Sequence, residues 1–164
     1  MDYSNQKIMD YLPSIVLGTH TMGYGVIRAL GIMNIPIIAV YYEKADMGYL
    51  SKYVKHKIKT VAPQEKEEEF INCLLDLGRN FGRGLLIPTN DETLVAVSKN
   101  LDTLENQFIV AVPDYNTTLK FISKEITYKI AENIGIPFPK TFEPANVKDL
   151  EKVCNISPKF SSTI

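Results

Sequence analysis

The chain has 164 residues, 45% hydrophobic and 23% charged, which is typical of a folded globular domain and excludes a disordered or collagenous chain. Its 18 basic and 19 acidic residues leave a net charge of −1, so no overall basic field favours nucleic acid or an anionic membrane. No apolar run reaches the roughly 18 residues of a spanning helix, and residues 1–11 lack a signal-peptide pattern. We therefore expect a cytoplasmic protein that binds neither membrane nor nucleic acid.

Short apolar runs alternate with helical patterns over the first two thirds of the chain. The predicted strands are residues 14–18, 36–41, 58–62, 85–88 and 108–112. The predicted helices are residues 25–33, 65–81 and 91–100. Strands that are apolar on both faces and alternate with helices predict a mainly parallel sheet with helices on both faces. The predicted organisation is an N-terminal tail, residues 1–12, and a Rossmann-like α/β domain, residues 13–113.

The remaining segment, residues 114–164, has a helical pattern instead of an alternating one. Ser123 is a suitable N-cap for an amphipathic helix over residues 124–133, and Gly135 is its expected stop signal. Residues 146–153 form a further short helical pattern. This segment is therefore predicted to be a helical region outside the sheet domain.

The loop of residues 18–25 joins the first predicted strand to the first predicted helix. Its glycines allow backbone amides at a helix start to approach an anion. It matches neither the P-loop nor the dinucleotide pattern: no lysine follows Gly23, and His20 stands at the second glycine position. Three interpretations stay open: a tight structural turn, a site for an anionic small substrate, and a dinucleotide site using Glu43.

The substrate interpretation selects four residues of this loop: Gly18, Thr19, His20 and Gly23. We predict that alanine at Gly23 or Gly25 would be strained, and that loop amides point into a cleft at the carboxyl end of the sheet.

Two carboxylates follow the fourth predicted strand. Thr89 and Glu92 have the spacing of a capping box. Asp91 and Glu92 can also bind a substrate ammonium at the carboxyl edge of the sheet, and the capping and binding roles are compatible. The basic stretch at residues 52–59 is more typical of a solvated edge strand than of a nucleic-acid site. With only two histidines and two cysteines in the chain, we predict no metal site.

The order of short motifs resembles a known family over roughly residues 13–160. After the β/α start come the loop Pro88-Thr89-Asn90-Asp91-Glu92, then Pro113-Asp114, then Ser123-Lys124 with its helix, and finally Ile136-Pro137-x-Pro139-x-Thr141. This order is similar to the front third of ATP-grasp carboxylate–amine ligases, closest to the D-aspartate ligase and carbamoyl-phosphate-synthase-like branch. In that family a Rossmann-like pre-ATP-grasp domain precedes two lobes that clamp ATP and Mg²⁺.

The resemblance implies that the full-length parent uses ATP and Mg²⁺ to convert a small-molecule carboxylate into an acyl-phosphate, which a small-molecule amine then attacks. It implies that the residue 18–25 loop, Asp91 and Glu92 face the acid or amine substrate, and that Lys124 lies near a nucleotide phosphate. Residues 114–164 would then be the linker and the start of an ATP-grasp lobe.

The family continues with a second ATP lysine, a glycine-rich lid and magnesium carboxylates, whereas here only four residues follow Ser157-Pro158-Lys159-Phe160. We therefore expect a truncated fragment with no catalytic residue, no cofactor of its own and no activity alone. Two other functions stay open: a free-standing Rossmann-like module that binds a small ligand or nucleotide, and a non-catalytic interaction domain. A homodimer also stays open.

Overall fold

The structure is a computed structural model that describes residues 11–139 together with residues 146, 147 and 149. Its centre is a five-stranded sheet in the order β3-β2-β1-β4-β5, and every neighbouring pair of strands is parallel. The strands are β1 (Ser14–Leu17), β2 (Ile37–Tyr41), β3 (Val54–Lys59), β4 (Leu85–Pro88) and β5 (Ile109–Val110). The helices are α1 (Thr21–Ile32), α2 (Glu67–Phe81), α3 (Asp91–Lys99), α4 (Leu101–Leu104), α5 (Tyr115–Ile122), α6 (Lys124–Asn133) and a 3-10 helix (Met47–Leu50). The predicted Rossmann-like fold class is confirmed.

The apolar run of residues 15–17 in β1 is explained by two cores, one on each face of the sheet. Ile15 and Leu17 belong to the core that includes Phe70 of α2, whereas Val16 belongs to the core that includes Ile27 of α1. All five side chains are fully buried. Each such burial contributes roughly 1.5–3 kcal/mol relative to exposure, so the two faces together fix the position of the carboxyl end of β1.

The third strand lies earlier in the chain than predicted. We expected it at residues 58–62, but β3 covers Val54–Lys59, where only Val54 and Ile58 are partly buried and the other residues are exposed. The prediction was wrong because it sought an apolar run, while an edge strand paired only with β2 needs one partly covered face. The basic stretch is thus largely an edge strand.

The helix boundaries also differ from expectation at α1 and α5. The first helix begins at Thr21 instead of Gly25, which places two glycines inside its first turns. Residues 115–122, for which we predicted no separate helix, form α5, whose N-cap Asp114 accepts a hydrogen bond from the Thr117 amide at 3.0 Å. The predicted bounds of α6 agree with the structure, and Gly135 beyond it has a φ of 71°.

The chain divides into two compact units, with the division after Lys124. The first unit therefore extends past Pro113, because α5 packs against α3. In the second unit, the rings of Tyr128 and Phe138 stack with centroids 5.3 Å apart. Most of the helical pattern predicted for residues 146–153 lies outside the described residues. In the part of the chain that the structure describes, no helix has the length and apolar character needed to cross a membrane.

Candidate functional site

The sheet order creates a crevice at the carboxyl ends of β1 and β4. The chain builds β1, β2 and β3 outward in one direction and then crosses back to place β4 on the other side of β1. The connections that leave β1 and β4 therefore diverge, and ligands of such sheets bind at this switch point. A cleft of about 280 Å³ lies there, between the start of α1, the loop after β2 and the start of α3.

The floor of the cleft is a tight junction between the ends of β1 and β4. Gly18 adopts a φ of 81°, a conformation that favours glycine. The Thr89 hydroxyl lies 2.9 Å from the carbonyl oxygens of both Leu17 and Gly18 and donates to this pair. Thr89 thus ties the two strand ends together.

Gly23 brings the first turn of α1 onto this junction. A Cβ atom at Gly23 would lie 2.0 Å from the Gly18 carbonyl oxygen, whereas a Cβ at Gly25 would meet nothing within 4 Å. The prediction that alanine would be strained at Gly23 or Gly25 is therefore confirmed, and Gly23 is the position concerned. At Gly23 the cause is close approach of two backbone segments, since its φ is not positive.

The start of α1 receives no side-chain cap from the residues that the structure describes. His20 occupies the N-cap position, and its side chain makes no bond to the helix amides; its Nδ1 lies 3.2 Å from the Thr21 hydroxyl. Within the described residues, no acceptor binds the amides of Thr21, Met22 and Gly23, and the first turn carries no acidic residue. Because a helix amino end carries a partial positive charge, this wall of the cleft is suited to an anion.

The start of α3, on the other side of the cleft, is capped by Asn90. Its Oδ1 accepts a hydrogen bond from the Thr93 amide at 3.0 Å, and its Nδ2 makes no hydrogen bond to a described residue. The predicted capping box of Thr89 and Glu92 is wrong, because the Thr89 hydroxyl turns toward β1 and Asn90 occupies the N-cap position. Asp91 and Glu92 are exposed in the first turn of α3 and do not line the 280 Å³ cleft.

The loop after β2 contributes a buried carboxylate that the sequence reasoning missed. Asp46 is buried, and its Oδ2 accepts hydrogen bonds from the amides of Tyr42 at 3.0 Å and Glu43 at 3.4 Å. Glu43, which we considered for a dinucleotide site, is exposed and does not line the cleft. The position of this loop after a predicted strand indicates that it can lie near a site, but no sequence pattern distinguishes Asp46 from its neighbours.

Tyr42 lines the same wall. Its hydroxyl lies 2.9 Å from the Thr93 hydroxyl. Burial raises the pKa of Tyr42 well above its usual range, and the nearby carboxylates of Asp46 and Glu92 act in the same direction, while the hydrogen bond to Thr93 opposes them. The phenol is therefore neutral at physiological pH and joins the loop after β2 to α3.

The other predicted site residues lie apart from this cleft or below its surface. Thr19 is fully buried, and its hydroxyl donates to the Asp46 carbonyl at 3.2 Å. Lys124 is exposed and forms no ion pair with another described residue. Ser123 precedes it with extended backbone. The described residues contain no cluster of three or more side chains suited to holding a metal ion.

Neither protein-family models nor curated protein sequences match the chain. Its fold is similar to that of an L-amino acid ligase from Bacillus licheniformis (TM-score 0.63, 16% identity, 87% of this chain and 34% of that one). Similar folds occur in the biotin carboxylase domain of a single-chain bacterial carboxylase (TM-score 0.57, 10% identity, 88% and 34%) and in glycinamide-RNase-transformylase T from Mycobacterium tuberculosis (TM-score 0.56, 16% identity, 87% and 38%). The chain spans about a third of the length of these structures.

Proposed function

We propose that this chain supplies the substrate-side domain of an ATP-dependent carboxylate–amine ligase of the ATP-grasp type. The observation that carries the proposal is the uncapped start of α1, which opens onto the cleft between β1 and β4. Two further observations support it: the motif order described above, and the similarity of the fold to part of an L-amino acid ligase. The narrower assignment, to the D-aspartate ligase and carbamoyl-phosphate-synthase-like branch, rests on the motif order alone.

In this proposal the cleft holds one substrate by its charges. The unbonded amides of Thr21, Met22 and Gly23 bind the carboxylate, since the helix dipole favours an anion there. Asn90 Nδ2, which has no partner among the described residues, supplies a further donor. The carboxylates of Asp91 and Glu92, on the exposed turn beside the cleft, attract the ammonium group of the amine before it loses its proton and attacks.

ATP and Mg²⁺ belong to the full-length parent in this proposal. The described residues contain no cluster suited to a metal ion. When bound, ATP supplies the phosphoryl group that activates the carboxylate. Lys124 is the one residue of this chain that we assign to the nucleotide, because its exposed ammonium group can pair with a phosphate. We expect the 164-residue chain alone not to hydrolyse ATP.

Trapping with hydroxylamine tests the proposal on the full-length parent. An acyl-phosphate reacts with hydroxylamine to give a hydroxamate, so hydroxamate formation that requires both ATP and a carboxylate is the expected result. Lys124→Ala should lower this rate strongly at unchanged melting temperature, while Lys55→Ala, on the exposed edge strand, should leave it unchanged. ADP release without hydroxamate, or full activity of Lys124→Ala, would contradict the acyl-phosphate step or the assigned lysine, respectively.

A second variant separates binding from capping at Glu92. Glu92→Gln should raise the KM for the amine with little loss of stability, because Asn90 and not Glu92 caps α3. Glu105→Gln, a matched change at another exposed residue, should leave the KM unchanged. An unchanged KM in Glu92→Gln would remove Glu92 from the amine site.

A further inference from the structure

A second cleft of about 490 Å³ lies beside the first, between the start of α1 and the 3-10 helix Met47–Leu50. His20 and Thr21 line both clefts, so the two share a wall. A molecule bound at the start of α1 therefore lies next to both clefts. The second cleft thus offers space for a substituent of a ligand whose charged group binds at the start of α1.

The 3-10 helix that forms the outer wall is firmly attached to the sheet. The Gly48 amide donates to the Thr19 carbonyl at 2.9 Å, and a Cβ atom at Gly48 would lie 2.4 Å from that same oxygen. The ring of Tyr49 stacks on Tyr41 of β2 with centroids 3.9 Å apart. These contacts hold the wall in place without a ligand.

The same attachment leaves large apolar side chains facing outward at the second cleft. Met47 is 73% exposed and Leu50 is 61% exposed, while Tyr24 of α1, on the opposite wall, is 42% exposed. Among the described residues that line this cleft there is no aspartate, glutamate, lysine or arginine. Exposed apolar side chains on a well-anchored segment are typical of a binding surface.

We propose that the second cleft is a specificity subsite for an uncharged, apolar substituent of the carboxylate that binds at the start of α1. The proposal rests on the proposed function, because that function supplies the charged anchor. Because His20 and Thr21 line both clefts, a substituent of the same molecule is favoured over a separate partner. The absence of charged side chains from the described lining favours an alkyl or aryl group. Tyr24, Met47 and Leu50 are the specificity-determining residues.

The test compares two carboxylates that differ only in an apolar group. The 164-residue chain, labelled with ¹⁵N, is titrated with propionate and with 3-phenylpropionate, and amide shifts are followed by NMR. Both ligands should move the amides of Thr21, Met22 and Gly23, and 3-phenylpropionate should also move those of the 3-10 helix. We expect 3-phenylpropionate to bind about tenfold more tightly, since its ring leaves water.

Variants then assign the preference to the apolar wall. Met47→Ser combined with Leu50→Ser should bring the two dissociation constants to within about twofold, without weakening propionate. Met33→Ser, at a methionine that is 65% exposed beyond the far end of α1, should keep the tenfold preference. The changed positions are exposed, so the amide spectrum elsewhere should stay as in the unaltered chain.

The possible results of the titrations distinguish failure of the apolar subsite from failure of the carboxylate anchor in the proposed function. Equal dissociation constants for the two ligands in the unaltered chain would overturn the apolar subsite and leave the carboxylate anchor standing. A tenfold preference that survives the double substitution would also overturn it. If propionate moves none of the amides of Thr21, Met22 and Gly23, the anchor fails, and the subsite fails with it.

Discussion

Two helices begin at the same crevice, and the chain treats their starts in opposite ways. The amides at the start of α3 receive a cap from Asn90, and Asp91 and Glu92 follow in the first turn, where carboxylates complement the helix dipole. The start of α1 has no side-chain cap and no acidic residue. Yet the first turn of α1 packs so closely on the end of β1 that the Gly18 carbonyl leaves no room for a side chain at Gly23.

The start of α3 is stabilised by a cap, whereas the first-turn amides of α1 are left without one. Capping a helix adds roughly 0.5–2 kcal/mol, so its absence at α1 forgoes a stabilising contact that α3 has. The close packing at Gly23 shows that α1 is nevertheless held in a fixed position. An uncapped but well-placed helix start is what an anionic ligand needs, and the comparison can be tested from either helix.

The largest effect is expected from Gly23→Ala. The new Cβ would lie 2.0 Å from the Gly18 carbonyl oxygen, so either α1 or the end of β1 must shift. Overpacking of this kind costs about 3 kcal/mol, less about 1 kcal/mol gained from the helix preference of alanine. We therefore expect the free energy of unfolding to fall by about 2 kcal/mol, as measured by urea denaturation.

Gly25→Ala is the matched control in the same helix. A Cβ at Gly25 meets nothing within 4 Å, so only the helix preference of alanine acts, and stability should rise by about 0.5–1 kcal/mol. Equal effects of the two substitutions would show that the first turn of α1 is not held against β1.

The next effect concerns the cap of α3. Asn90→Ala removes the acceptor for the Thr93 amide, so we expect a loss of about 1 kcal/mol in unfolding free energy. Asn90→Asp keeps an acceptor oxygen at this position and should preserve most of the stability. If Asn90→Ala left the free energy of unfolding unchanged in urea denaturation, the Asn90 cap would not stabilise α3, and the two helix starts would not differ in stability.

The sheet and the position of this crevice follow from patterns that the sequence contains. Runs such as residues 15–17 are apolar throughout because both faces of β1 are covered, and this is visible without a structure. The edge strand β3 was misplaced because its pairing with β2, and not its own apolar content, makes it a strand. Local patterns therefore identify buried strands better than edges.

The details of the site were less accessible to sequence reasoning. The Thr89-x-x-Glu92 spacing is a proper capping signal, but the Thr89 hydroxyl instead bonds carbonyl groups at the end of β1, 71 and 72 positions away. Asp46 gains its place from bonds to the Tyr42 and Glu43 amides, which depend on how the loop folds. Whether a side chain such as Thr89 caps the nearby helix or bonds a distant carbonyl group is decided only when the strands assemble.

Tyr42 provides a pH-dependent test of the contact between the loop after β2 and α3. Tyr42→Phe removes the hydrogen bond to Thr93 and should cost about 1 kcal/mol at pH 7. Because burial raises the pKa of Tyr42, the folded protein keeps the proton, while the unfolded chain loses it near pH 10. The stability from this group is therefore complete below pH 10 and declines above it.

The difference between the unaltered protein and Tyr42→Phe should consequently shrink by about 0.8 kcal/mol at pH 10.5, from the same urea measurement. All other ionisable groups are the same in the two proteins and cancel in the difference. A difference that stays constant from pH 7 to pH 10.5 would mean that the folded phenol ionises as freely as the unfolded one.

The smallest change in stability, and the sharpest test of the comparison, is to give α1 the kind of cap that α3 has. His20 already has extended backbone at the N-cap position, so an aspartate there can accept a hydrogen bond from the first-turn amides. We expect His20→Asp to raise the unfolding free energy by about 0.5–1 kcal/mol, because both the cap and the dipole favour it.

The same carboxylate would occupy the position assigned to the ligand, so the shifts that propionate causes at the amides of Thr21, Met22 and Gly23 should disappear. His20→Ala adds no acceptor, so it should give no gain in stability and keep those shifts. A protein that gains stability through His20→Asp and still binds propionate at these amides would show that the open start of α1 is not the anion site, and the two helix starts would then differ in stability alone.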